Sequence, residues 1–474
     1  MKDSSRRSTL ARLMADPVDL LVIGGGITGA GIARDAAMRG ISVILVDQHD
    51  LASGTSSRSS RLVHGGLRYL EQRQFRLVSE AARERATLLA IAPHLVWPLE
   101  FVFPIHRGDR VPLWQLAAGV WLYDLLALFR KVRRHRVLGK RAMLEAEPML
   151  RERGLAGGAR YADAQCDDAR LTIATARSAA HHGAMVANYM AVRGLRVQDG
   201  RIDGAALEDR LTGEQGAVRA SLVVNASGPW VDRVRRLEDP NAAPMLRPTR
   251  GVHLVVPRER IGNRNAITFL SPIDGRVMFV LPWGDLSYIG TTDTDAPESP
   301  DTVTVTPDDI VYLLRSVNAR FPGAHLVSED IISSWAGLRP LVRDDAHSAS
   351  GTSREHVIVQ GPAGLVSVAG GKLTTYRSMA AEVVDRVAKL LPSRRRGGWP
   401  GTAATALEPL PGGEAADLGP FRERALSIGL SPATADHLTR QYGTESAGIL
   451  NLGMTDRALL EPLHPRHPAL AGEV

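Results

Sequence analysis

Residues 19–47 constrain this chain more than any other stretch, because their pattern suits one supersecondary unit. Asp19-Leu20-Leu21-Val22-Ile23 is a short, nearly continuous apolar run, as a parallel strand buried on both faces requires. It feeds Gly24-Gly25-Gly26-Ile27-Thr28-Gly29, after which Ala30 to Met38 carries small and apolar residues at helical spacing and Gly40 suits the helix terminus. A second strand, Ile41 to Val46, ends in Asp47. The loop Gly24-x-Gly26-x-x-Gly29 lets the backbone turn tightly and present amide N–H groups and a helix N-terminus to a pyrophosphate. Asp47 stands 18 residues past Gly29, close to the spacing from which an acid bonds a ribose hydroxyl. The alternative is a tight strand–helix turn with no ligand, and Asp47 counts against it. The pattern predicts a dinucleotide-binding α/β unit.

Bulk properties narrow the class. The 474 residues allow two or three domains, and 44% hydrophobic with 23% charged residues is ordinary for a globular chain. A net charge of +7 favours an anionic partner: a substrate, a lipid surface or nucleic acid. No recognised nucleic-acid motif or aromatic-rich basic stripe appears, so no nucleic-acid partner is expected. The lone Cys166 excludes an intramolecular disulfide and a cysteine-cluster metal site, and no metal is expected. A reducing, cytosol-facing compartment fits. Met1 to Asp16 lacks the apolar core of a secretory signal and reads as a frayed, solvated leader, with an Arg/Ser-rich presequence as the alternative.

Further along, Asp167 to His182 reads as a helix entered through Asp167-Asp168 and closed by Gly183. Short strands follow near 185–187, 194–197 and 222–225, and strand material at 251–256, 277–281 and 288–289 suggests an antiparallel sheet. A helix begins after Gly370-Gly371 and runs to about Leu391; residues 392–398 look like a linker before a small, mostly helical tail.

Several segments carry chemistry. Leu222 to Trp230 is a buried strand ending in the small-residue turn Asn225-Ala226-Ser227-Gly228, where Ala226 and Gly228 let the chain pass close to a bound dinucleotide. Beside an N-terminal loop, that return favours FAD over NAD. The hydroxyl-rich loop Ser53 to Ser60, with Thr55, Ser56 and Ser57, is a flexible linker or, better, a wrap that donates hydrogen bonds to the cofactor. It leads into His64-Gly65-Gly66-Leu67-Arg68-Tyr69-Leu70-Glu71, which sets an imidazole, two glycines, a guanidinium and a phenol in one octet. The octet suggests a flavoprotein whose substrate carries a phosphate. At Gly370-Gly371-Lys372-Leu373-Thr374, two glycines at a helix start allow backbone approach. The helix dipole and Lys372 would stabilise negative charge on a reduced flavin. The alternative is a solvated first-turn lysine.

Taken in order, His64–Glu71, Asp167–Leu171, Asn225–Trp230, Ile289–Asp293, Gly337–Leu341 and Gly370–Arg377 give the chain a specific resemblance. It resembles the FAD-dependent glycerol-3-phosphate dehydrogenases, within the D-amino-acid-oxidase-like flavoprotein superfamily, over roughly residues 17–460. That resemblance implies an α/β fold: an FAD-binding Rossmann-like domain interleaved with an α+β substrate domain, plus a small helical C-terminal domain. The divisions expected are 17–95, 156–245 and 331–392 for the FAD-binding domain, 96–155 for a substrate- or membrane-facing segment, 246–330 for the substrate sheet and 400–474 for the C-terminal domain. Family members usually continue past the match to His464–Leu470, so a C-terminal domain cut short is expected.

The same resemblance implies oxidation of sn-glycerol 3-phosphate to dihydroxyacetone phosphate by hydride transfer to flavin N5, with electrons passed to a membrane quinone. Arg68, Arg339 and Arg354 would converge on the phosphate and glycerol end, with Tyr69 adding a hydroxyl. Gly24, Gly26, Gly29, Asp47, Thr55, Ser56, Ser57, His64, Gly65, Gly66, Ala226, Gly228, Gly371, Lys372, Leu373 and Thr374 would hold FAD. The catalytic candidates are His64, His253 and Lys372. His64 and His253 both qualify as the base, and the sequence does not choose between them. Within the octet, His64-Gly65-Gly66 is expected to face the flavin and Arg68-Tyr69 the phosphate.

Leu113 to Phe129 is apolar around nearly its whole circumference except for Gln115 and Asp124, and a basic cluster, Arg130 to Arg141, follows. An apolar helix beside cations is what a protein lying on anionic lipid presents. The alternative is a buried helix with a solvated basic exit. Asp124 argues against a full membrane span. The localisation expected is cytoplasmic, peripherally associated with the inner membrane, with a homodimer among the allowed assemblies. A glycerol-3-phosphate oxidase using dioxygen, and a catalytically silent FAD-binding scaffold or sensor, are the rival readings.

Overall fold

The computed structural model describes residues 10–71, 74–127, 134–296, 299–343, 355–391, 401, 404–465 and 467–474. Two sheets organise it. The first runs in the order His356–Gln360, Val366–Gly370, Gln215–Asn225, Val18–Ile23, Val43–Val46, Met185–Ala187. Its strands are parallel from Val366–Gly370 onward, with Val18–Ile23 between Val43–Val46 and Gln215–Asn225. All six side chains of Val18–Ile23 are buried, which explains why its sequence reads as unbroken rather than alternating. The helices Ile27–Met38, Asp168–His181 and Tyr376–Leu390 cover one face, and Ala30, Ala33, Ala36, Val383 and Val387 pack there against Leu20, Val22 and Val224.

The second, ten-stranded sheet is mostly antiparallel and is built around Thr249–Pro257, Leu286–Gly290, Val277–Trp283, Ala266–Leu270, Val96–His106 and Leu155–Cys166. The helix Pro307–Arg320 backs it, entered through a Thr306–Asp309 capping box. Leu155–Cys166 pairs along Val96–His106 and Ser333–Arg339 along Thr249–Pro257, so both belong to this sheet. The boundaries drawn from sequence at 156 and 331 therefore fall too early. Residues 155–166 are rich in Ala and Gly; the chain returns to the first sheet only at Asp167, whose side chain accepts the Arg170 N–H to cap the next helix. The leader also differs from expectation: Leu10 and Leu13 are buried in the core beside Leu21 and Val223.

The C-terminal helices Gly419–Ser427, Pro432–Tyr442 and Ser446–Thr455 enclose a small core of their own around Leu438, Leu450 and Leu470. They dock through Arg177, bidentate to Glu445 at 2.7 Å, and Arg170, which donates to Gln441 O at 2.7 Å. His94 lies in this seam, 2% exposed, and burial pulls it down to about 4, only partly offset by Glu414. An ordinary histidine titrates near 6.5, so between the two values the unfolded chain binds a proton that the folded chain refuses. Stability is then complete above about 6.5 and falls as the pH drops toward 4, by up to roughly 3 kcal/mol. Urea midpoints compared at pH 7.5 and pH 5 should show that loss. His94→Asn, which cannot take the proton, should flatten it.

Candidate active site

A cleft of about 480 Å³ opens at the carboxyl ends of the parallel strands, where a doubly wound sheet places its ligands. Gly24 forms its floor with φ +112°, and a Cβ there would stand 2.5 Å from Ala226 O. Only bare backbone fits between the two strand ends. Gly26 precedes the helix Ile27–Met38 and offers no capping side chain of its own, and the first residues of the helix, Ile27 and Thr28, line the cleft. Gly29 differs from expectation. It lies in the first helical turn, where a Cβ would sit 1.8 Å from Gly24 O, and it packs helix on loop rather than facing the cleft.

Asp47 lines the cleft as a loop organiser as well as an acceptor: Gly25 N–H donates to Oδ2 at 2.6 Å and His49 N–H to Oδ1 at 2.8 Å. Burial raises its carboxyl and these two backbone bonds oppose the rise. The hydroxyl loop runs along the cleft and is tied to the protein around it. Ser56 Oγ accepts from Ile27 N at 2.9 Å, Thr55 donates to Leu338 O at 2.7 Å, and both line the cleft, whereas Ser57 does not. Arg58, Ser59 and Ser60, which the sequence reading did not single out, do. Ser59 donates to Asp168 at 2.6 Å, and burial pushes that carboxyl up to about 6. Ala226, Gly228, Gly371, Lys372, Leu373 and Thr374 complete the walls.

A second cavity, about 360 Å³, adjoins the first. Leu67, Leu70, Phe103, Leu116, Leu122 and Phe279 make it apolar on one side; Arg276, Thr291, Asp293 and Arg339 make it polar on the other. Ser60, Leu62, His64, Tyr69 and Arg339 border both cavities. The octet is thus the partition. His64 is held by Thr374, whose hydroxyl accepts from His64 N at 3.1 Å and donates to His64 O at 3.3 Å. Lys372 Nζ stands 3.3 Å from the centroid of the Tyr69 ring, a cation–π contact across the partition. Gly65 and Gly66 do not face the first cleft: Gly65 N–H turns to Tyr123 and Asp163, and Gly66 borders the second cavity. The expected division of the octet into a cofactor half and a substrate half gives way to two faces of one wall.

Arg339 is aimed by its neighbours, with Nη1 3.1 Å from Asp293 Oδ1 and Nη2 donating to Thr291 Oγ1 at 2.9 Å and Thr292 O at 3.0 Å. The Arg68 side chain and all of Arg354 lie outside the described residues. His253 is 2% exposed, stacked on Trp335 at 4.8 Å, with Nε2 2.8 Å from Ser60 Oγ. Burial, then the Arg339 and Arg61 charges, hold it neutral, down to about 3. It borders the first cleft and not the second. Sequence reasoning missed Asp163, Arg85 and Tyr123. Asp163 left one signal, a lone acid amid small apolar residues in Tyr161-Ala162-Asp163-Ala164.

The helix Leu113–Leu126 forms one wall of the second cavity. Leu116, Val120, Tyr123 and Asp124 face inward, and Asp124 Oδ2 lies 2.5 Å from His135 Nδ1. Outward, Trp114 (73% exposed), Trp121 (64%) and Leu125 (54%) form a stripe at helical spacing. Of the basic run that follows, residues 128–133 lie outside the description. Lys140 and Arg141 pair with Glu152 and Glu145, both at 2.9 Å. Among the described residues no helix is long and apolar enough to cross a membrane.

Comparison with known proteins adds four findings. Residues 19–377 match the family model described as FAD dependent oxidoreductase. Over 461 residues the chain is 38% identical to an aerobic glycerol-3-phosphate dehydrogenase of Staphylococcus haemolyticus, covering 95% of this chain and 83% of that one. The glycerol-3-phosphate dehydrogenase of Bacillus halodurans, solved in complex with FAD, superposes with a TM-score of 0.79 at 35% identity, covering 95% of this chain and 81% of that one. An L-alpha-glycerophosphate oxidase from Mycoplasma pneumoniae, at 17% identity and a TM-score of 0.62, shares the fold.

Proposed function

The chain belongs to the FAD-dependent oxidoreductase family, with FAD as its cofactor, and from that premise we propose that it oxidises sn-glycerol 3-phosphate to dihydroxyacetone phosphate and delivers the electrons to a membrane quinone. One observation carries the substrate half of this reading. An imidazole, a phenol and a guanidinium stand in the wall between the dinucleotide cleft and a second cavity.

FAD, when bound in the first cleft, supplies the acceptor for two electrons. The chain's own residues do the rest. Arg339, already oriented by Asp293 and Thr291, presents a planar guanidinium to a phosphate in the second cavity. By the resemblance, Arg68 and Arg354 join it there, and Tyr69 adds a hydroxyl. His64 is the base for the secondary hydroxyl, because the residue borders both cavities and its backbone is pinned on both sides by Thr374. His253, neutral and bonded to Ser60, steadies the hydroxyl loop. Lys372 brings positive charge to the first cleft. The leucine and phenylalanine wall of the second cavity keeps water from the reacting carbon.

Anaerobic addition of glycerol 3-phosphate to the flavin-loaded protein should bleach the visible flavin band. Arg339→Ala should raise the concentration required by about 100-fold, the scale of a lost charged hydrogen-bond donor. No bleaching of the unaltered protein would rule out this substrate. Steady hydrogen peroxide formation under air would reassign the acceptor to dioxygen.

The outward stripe of Leu113–Leu126 supports the quinone half, since an enzyme that reduces a membrane quinone must sit at the lipid surface. Trp114, Trp121 and Leu125 would enter the interface while Arg134 and Arg136, both exposed, face anionic headgroups. The protein would then lie peripherally at the cytoplasmic face of the inner membrane. It should float with liposomes containing anionic lipid, and Trp114→Ser with Trp121→Ser should lower the bound fraction at least tenfold. Failure of the unaltered protein to float ends the lipid reading.

A further inference from the structure

Behind the octet lies a buried polar group that none of the chemistry above uses. Asp163, in the strand Leu155–Cys166, forms an ion pair with Arg85 of the helix Phe75–Ile91, and each side chain is 3% exposed. The Tyr123 hydroxyl donates to Asp163 Oδ1 at 2.6 Å, and Arg85 Nη1 donates to the same phenol at 3.2 Å. Into this group points one backbone amide: Gly65 N is 2.9 Å from the Tyr123 hydroxyl oxygen and 3.3 Å from Asp163 Oδ1. A Cβ on Gly65 would stand 2.3 Å from that hydroxyl, so the phenol and the segment are seated with no slack.

We infer that Tyr123, Asp163 and Arg85 are the positioning residues of His64, Tyr123 alone acting from the outer helix Leu113–Leu126. The inference rests on His64 being the proton acceptor. The peptide plane carrying Gly65 N–H begins at the carbonyl of His64, so fixing that amide fixes the carboxyl side of His64. Thr374 fixes the His64 amide and accepts a second role at its carbonyl. With both flanking peptides held, only the side-chain torsions of His64 stay free. A buried ion pair is a poor way merely to fill space, because apolar residues of similar volume often serve stability as well or better. Its strength lies in direction: donors from two helices and the octet converge on one carboxylate oxygen. Burial and the Asp163 charge hold the Tyr123 phenol well above its ordinary value, so it keeps the proton it donates.

Tyr123→Phe removes one oxygen and leaves the ring. The FAD-loaded variant is expected to show anaerobic flavin reduction by glycerol 3-phosphate slowed about 30-fold, with KM changed less than threefold. Without any substrate, amide exchange in the peptide spanning residues 62–67 should accelerate at least tenfold, since Gly65 N–H loses its nearest acceptor. Val120→Ala, buried on the same helix and away from both cavities, is the packing control. It should lower the melting temperature more than Tyr123→Phe does and leave the reduction rate within twofold. Equal slowing in the two variants, a rise in KM with unchanged kcat, or unchanged exchange over 62–67 would each overturn the inference. So would loss of FAD from both Tyr123→Phe and Asp163→Asn, since the group would then hold the fold rather than the ring. If glycerol 3-phosphate reduces none of the proteins, the substrate reading fails and the exchange result alone decides this one.

Discussion

With asparagine at position 64, flavin reduction by glycerol 3-phosphate should fall by about 10²–10⁴-fold while FAD stays bound, the scale on which a positioned general base contributes. Asparagine retains the backbone N–H and carbonyl that Thr374 engages, so the partition between the two cavities survives. What disappears is a group able to accept the hydroxyl proton. The pH profile offers a second reading of the same variant, because any rate limb that reports the imidazole should vanish with it. His253→Asn is the natural comparison and should cost less. Its ring is buried, faces Ser60 and borders only the first cleft. Single-turnover rates in a stopped-flow instrument decide the matter. A larger loss at 253 than at 64 would transfer the role of base to His253.

Gly24→Ala should yield a colourless protein. Two independent obstacles meet at this residue. Its φ of +112° is a conformation that an L side chain adopts only with strain, on the order of 1–3 kcal/mol. The added methyl would also stand 2.5 Å from Ala226 O and 2.8 Å from Ser227 Cα, both backbone atoms that cannot swing aside. Relief requires spreading the ends of Val18–Ile23 and Gln215–Asn225, where the dinucleotide should lie. The measurement is flavin absorbance per protein, expected to fall below about a tenth of the unaltered value. Gly448→Ala is the control: nothing lies within 4 Å of its Cβ position, within the helix Ser446–Thr455, and alanine there should be neutral or stabilising by up to ~1 kcal/mol. Full flavin content in Gly24→Ala would mean that the loop tolerates more than its geometry allows.

Most of the dinucleotide half was legible because it is local. A strand, a glycine loop, a helix and a second strand follow one another within thirty residues, and their periodicities and the terminal acid survive in the linear order. The long helix Asp168–His181 announced itself in the same way, through its N-terminal aspartates and closing glycine. The second sheet was harder to read. Leu155–Cys166 pairs with Val96–His106 across a long sequence gap, and its alanines and glycines carry little strand propensity; packing between layers, not local preference, makes it a strand. Site residues divided along the same line. Gly24, Asp47, His64 and Lys372 stand in motifs, whereas Arg85, Tyr123 and Asp163 come from three distant elements and meet only in space. The faces of Gly29 and Gly65 also escaped the sequence, since a motif names a glycine without saying which side of it is occupied.

The walls of the first cleft are gathered from Ile23 at one extreme to Met379 at the other, with contributions from the fifties, the 220s and the 330s between. During synthesis this means that a partly made chain has the phosphate loop early and the closing wall late. The strand Val366–Gly370, which inserts between Gln215–Asn225 and His356–Gln360, is needed before the parallel sheet is whole. No N-terminal fragment ending before it possesses the complete binding surface. Cofactor capture therefore waits until the chain has been made through Met379, and the supply of flavin acts on polypeptides at least that long.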